Sequence, residues 1–113
     1  MAQVWSIMIN GNVPAKFNPD VFGTGPGEPL KAQLGDLVSW NNQTGDAHQI
    51  AVLKADGTVS FTTEKIASFK SSTPGYVTSS TDVVSGTISY HCTLHLDQNK
   101  KPVENGKITV VAS

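Results

Sequence analysis

The sequence has one cysteine, no block of like charge, no long apolar run and no stretch beyond about ten residues that keeps a helical apolar period. With Cys92 alone no intrachain disulfide can form, so a domain of 113 residues must be held by its core or by a metal. A formal net charge of -1, with no basic stripe suited to phosphate, argues against nucleic acid as a partner. No segment is apolar enough to span a membrane. The N-terminus, Met1-Ala2-Gln3-Val4-Trp5, has neither the basic region nor the apolar run of a signal peptide, so the chain is read as cytoplasmic or as the mature form of an exported protein whose leader was replaced by Met1.

What is present is Val, Thr, Ser and Gly recurring throughout, the composition of short strands and turns. Strands are expected over 3–9, 30–34, 36–41, 48–53, 59–62, 86–92 and 107–111. Residues 10–29 are rich in Gly, Pro and Asn, with Gly23 to Gly27 as a loop. Ala55-Asp56-Gly57-Thr58 signals a hairpin, because Asp-Gly accepts the positive φ of a tight turn. Residues 63–75 fit either a helical turn or an irregular crossover before Pro74-Gly75, and 93–106 reads as a loop. No repeat or linker divides the chain. The fold class is therefore all-β: residues 1–113 form one domain, a Greek-key sandwich or barrel of about seven to eight strands.

Side chains alternate across a strand, so parity tells which residues share a face. Val38 and Trp40 fall together, as do His48, Ile50 and Val52, and as do Ile88, Tyr90 and Cys92. Each of the last two sets joins a metal-capable residue to apolar neighbours, which points His48 and Cys92 inward at a strand end. His95, three residues after Cys92, can return over the turn toward the thiolate. Two imidazoles and one thiolate with a weak axial donor suit a one-electron copper couple. Structural zinc asks for four strong ligands, and this chain offers one thiolate and three histidines in all.

At these residues the sequence resembles the cupredoxins, the small blue copper proteins, over roughly 30–111. Gly35-Asp36-Leu37-Val38-Ser39-Trp40-Asn41-Asn42 followed by His48 is similar to the family's strand, Asn-containing turn and first ligand. Gly86-Thr87-Ile88-Ser89-Tyr90-His91-Cys92-Thr93-Leu94-His95 is similar to its closing strand with Cys and second His. The resemblance implies one type 1 copper ion on His48, Cys92 and His95. It also exposes a departure, because Leu96-Asp97-Gln98-Asn99 stands where the family carries an axial methionine. Spacing in the shortest family loop nominates Gln98 as the axial donor through its side-chain oxygen. The rivals are Glu104, reached through an apparent insertion over Lys100 to Asn105, and water; the resemblance also implies a weak further contact from the backbone carbonyl of Ala47. An oxygen donor favours Cu(II), hence a low reduction potential.

The function implied is electron transfer between redox proteins by transient docking, by a monomer that is not an enzyme and works in the periplasm or another extracytoplasmic space. The port is the outer edge of His95, ringed by Val13, Pro14, Leu94 and Leu96. A copper storage or delivery module is the alternative, and a copper-oxidase or nitrite-reductase-like subunit using His91 is a less favoured one. His91, of opposite parity to Cys92, reads as a surface histidine; Tyr90-His91-Cys92 also resembles copper nitrite reductases, but a second copper site lacks further histidines. Trp5, Trp40, Phe61 and Tyr90 read as core packing, and Asn41 or Asn42 as turn residues, one of them bonding across to the loop of Thr93.

Overall fold

The computed structural model describes residues 3–11, 16–17, 30–72 and 75–111. Within them the strands are β1 (Val4–Asn10), β2 (Lys16–Phe17), β3 (Leu30–Ala32), β4 (Leu37–Asn42), β5 (Ile50–Leu53), β6 (Val59–Thr62), β7 (Tyr76–Val77), β8 (Thr87–Cys92) and β9 (Asn105–Val110). They form a four-stranded sheet in the order β2-β1-β4-β7 and a five-stranded sheet in the order β3-β9-β8-β5-β6. The Gly23 to Gly27 loop, Val13 and Pro14 lie outside the described residues, as does Pro74. No helix among the described residues is long and apolar enough to cross a membrane.

Period-2 patterning decides which residues reach the core. In β4, Val38, Trp40 and Asn42 are buried and their neighbours are not; in β8 the same alternation buries Ile88, Tyr90 and Cys92. Ile7 and Ile9 of β1, Ile50 and Val52 of β5 and Ile108 of β9 complete one apolar cluster between the sheets. Tyr90 sits at its centre, edge-on to Trp40 at 5.1 Å and to Phe17 at 4.8 Å between ring centroids. Trp5, Trp40, Phe61 and Tyr90 are thus all part of this packing or lie against it.

The Asp-Gly hairpin joins β5 to β6, with Gly57 at φ +89° and Asp56 Oδ1 accepting the Thr58 N–H at 2.9 Å. Gly35-Asp36 turns the chain from β3 into β4. Asp36 accepts N–H bonds from Gln3, Gln33 and the Trp5 indole at 2.9 to 3.0 Å, tying the start of β1 to that turn. The segment after β6 is an irregular crossover: Ile66 pairs with His48 and Ser71 with Asn41 as isolated bridges, and a 3-10 turn follows at Ser80–Asp82.

Candidate metal centre

Two ladders and one loop bring the site together. Cys92 ends β8 opposite Ile50 in β5, and His48 lies just before β5, held by paired backbone hydrogen bonds with Ile66. The chain after Cys92 turns back over the end of the sandwich with His95, then returns to β9 with the Cys92 N–H donating to the Glu104 carbonyl at 3.0 Å. Glu104 shares the inward parity of Ile108 and is 1% exposed.

His48, Cys92, His95 and Glu104 therefore converge, with ligand-type atoms all within 4.8 Å of one another, in a group buried except for the His95 edge. Cys92 Sγ is 3.6 Å from His95 Nδ1, Glu104 Oε1 is 2.7 Å from His95 Nδ1 and 3.2 Å from His48 Nδ1, and the two imidazoles meet edge to face at 4.8 Å. Burial holds the His48 imidazole below its ordinary pKa, favouring its neutral form, and burial pushes the Cys92 thiol up, favouring the protonated thiol that metal entry would have to deprotonate.

The fourth member differs from the sequence expectation. Gln98 is exposed at the tip of a small turn rather than in the group. Asp97 Oδ1 accepts the N–H groups of Asn99 and Lys101 at 2.8 and 2.9 Å, Lys100 adopts φ +61°, and Leu96 pairs with Pro102. The residues that look like an insertion thus form the return arm of this turn, which carries Gln98 outward and delivers Glu104 inward. The missed signal was parity: β9 begins at Asn105, and its alternation carried back one residue puts Glu104, Gly106 and Ile108 on one face.

The link between the two ligand segments also differs. It is made by Gln49, not by Asn41 or Asn42: the Thr93 N–H donates to the Gln49 carbonyl at 2.8 Å and the Thr93 hydroxyl to Gln49 Oε1 at 2.9 Å. Asn41 instead bonds Ser71, and Asn42 bonds both within the loop that carries His48 and across to the Ile66 carbonyl. His91 lies half-buried on the opposite face of β8, and among the described residues it joins no group of metal-binding side chains. Leu94 and Leu96 are exposed beside His95, whose side chain is 18% exposed. Ala47 is exposed just before His48.

The donor set fits a metal. His48 Nδ1 is buried and, although near Glu104, has no aligned hydrogen bond, while its Nε2 is 3.0 Å from the Thr44 hydroxyl. One ring nitrogen is thus held by the protein and the other left for a ligand. With Glu104 counted, ligand number no longer separates copper from zinc, because thiolate, two imidazoles and a carboxylate also make a zinc set. The Irving–Williams order still places Cu(II) above zinc on such donors, and the His48, Cys92, His95 group fits a type 1 copper site.

No protein-family model matches this sequence, and no curated protein is significantly similar to it. Solved structures are. The reduced Cu(I) form of an amicyanin variant at pH 4 superposes with a TM-score of 0.60 at 21% identity, covering 97% of this chain and 82% of that one. An oxidised amicyanin variant gives 0.61 at 21%, covering 96% and 82%. A purple cupredoxin from Nitrosopumilus maritimus gives 0.56 at 22%, covering 98% and 100%. Superpositions with TM-scores of 0.56 to 0.61 over nearly the whole chain, on two packed sheets, establish that this chain has the cupredoxin fold.

Proposed function

We propose that this chain is a mononuclear copper electron carrier, passing one electron between redox proteins without acting on a substrate. The observation that carries this reading is the buried convergence of one thiol, two imidazole Nδ1 atoms and a carboxylate at one end of a cupredoxin sandwich. His48, Cys92 and His95 would hold the ion, with Glu104 rather than Gln98 as fourth donor. Copper bound there would supply a one-electron couple, and two His nitrogens with one thiolate suit both of its oxidation states.

The protein's part is to keep these donors from moving. His48 is fixed through Ile66, Cys92 through the β5–β8 ladder, and the two segments are stapled by Gln49 and Thr93. His95 has the edge that reaches solvent, so a partner would come nearest the site there, against exposed Leu94 and Leu96. Small apolar contacts of this kind suit brief docking by a monomer. We place the carrier outside the cytoplasm, away from the thiol pool that keeps cytosolic sulfur reduced.

Voltammetry with a copper count on the same sample tests the carrier role. A reversible one-electron wave at one copper per chain is expected. Slow one-way reduction accompanied by copper loss would overturn it in favour of storage or delivery.

A further inference from the structure

We infer that Thr44 is a positioning residue that sets the tautomer of His48, keeping the proton on Nε2 so that the bare Nδ1 faces Cys92, His95 and Glu104 before any metal arrives. The geometry stands by itself; only its purpose rests on the reading of this group as a metal centre.

The assignment follows from counting protons outward from Asn42, which is fully buried. Its Nδ2 has two hydrogens, and both are committed, to the Asp46 carbonyl at 2.7 Å and the Ile66 carbonyl at 2.9 Å. The reversed amide would set an oxygen against two carbonyl oxygens, so Oδ1 must face Thr44. There it accepts the Thr44 N–H at 2.9 Å and the Thr44 hydroxyl at 2.7 Å. The Thr44 hydroxyl has a single proton, and Asn42 Oδ1 is its nearest acceptor, with the Asp46 carbonyl behind it at 3.0 Å. The Asp46 N–H donates to the same hydroxyl oxygen at 3.2 Å. Toward His48 Nε2, 3.0 Å away in a buried contact, Thr44 can therefore only accept. A bare Nε2 would place two lone pairs face to face out of reach of water, so Nε2 carries the proton.

Glu104 is the competitor, since a carboxylate near Nδ1 draws a proton to that side. Its Oε1 is already engaged by His95 Nδ1 at 2.7 Å, whereas its approach to His48 Nδ1 is longer, at 3.2 Å, and leaves that nitrogen without a hydrogen-bond partner. The Thr44 loop is in turn fixed from outside: the Ser68 hydroxyl donates to the Thr44 carbonyl, and the Phe69 N–H donates to the Asn42 carbonyl at 2.7 Å.

A long-range proton–nitrogen correlation spectrum of the full-length, metal-free chain with labelled histidines reads this directly at neutral pH. The expected pattern for His48 is a protonated Nε2 and a bare Nδ1, retained in Thr44→Ser. In Thr44→Val the proton is expected to move to Nδ1, and Cu(I) affinity to fall about 10- to 100-fold, with Thr44→Ser restoring it. A wild-type His48 with its proton on Nδ1 or on both nitrogens, or a folded Thr44→Val with an unchanged pattern, would overturn the inference. Should Thr44→Val not fold, the wild-type and Thr44→Ser spectra decide. Because the tautomer is read without metal, a wild type with the expected pattern that fails to bind Cu(I) supports this inference while sinking the copper reading.

Discussion

Glu104 is a carboxylate buried among two imidazoles and a thiol, and a charge so placed persists only when it is paired or meets a cation. As a hard oxygen donor it should hold Cu(II) more tightly than Cu(I). Glu104→Met is therefore expected to raise the reduction potential, by ~59 mV for every tenfold change in the ratio of the two affinities; voltammetry of the variant showing an unchanged or lowered potential would count against Glu104 as donor. Three of the four residues were legible in sequence because strand parity and short spacing fix their directions. His48, Cys92 and His95 needed only the alternation of Ile50 and Val52 or of Ile88 and Tyr90. Gln98 lies outside the group because its position depends on a turn built by Asp97 with backbone groups up to four residues away, an arrangement that spacing by itself does not reveal.

Among the elements, β8 and β9 approach closely where Tyr90 lies directly opposite Gly106. A Cβ at Gly106 would overlap the Tyr90 ring, and the obstacle is the ring of a fully packed aromatic rather than a mobile side-chain end. Gly106→Ala is expected to destabilise the protein by about 1–3 kcal/mol through overpacking. Tyr90→Leu in the same chain should recover part of that loss, a non-additivity that denaturant titration of the double-mutant cycle would register. The strands themselves were largely readable from alternation, and Asp56-Gly57 announced its hairpin. What was not readable is pairing between distant segments: β1 lies parallel to β4 and β3 parallel to β9. The crossover after β6 is likewise fixed by single bridges to Asn41 and His48, long-range contacts that leave no periodic trace in residues 63–75.

At the scale of the molecule, stability should fall with acidity in the metal-free protein. Burial holds His48 and His91 below their ordinary value of 6.5, so under that pH the unfolded chain takes up protons that the folded chain resists. Stability is thus full above 6.5 and declines as pH drops toward the folded values. The urea midpoint should be lower at about pH 5 than at about pH 7.5, and His91→Gln should flatten the slope. Asp36 acts further down the scale, because the Gln3, Trp5 and Gln33 hydrogen bonds hold it below 3.8, and its contribution is lost only as pH falls through that lowered value. Copper binding should oppose unfolding by about 4 kcal/mol when free copper exceeds Kd about a thousandfold, and thermal melts with and without copper would show it. The most direct measurement is a Cu(II) titration of the metal-free chain followed by visible absorption and electron paramagnetic resonance. An intense thiolate-to-copper absorption that saturates at one equivalent, bleaches on reduction and is lost in Cys92→Ser is the predicted result. A chain that stays colourless, or whose colour survives Cys92→Ser, would contradict the copper centre.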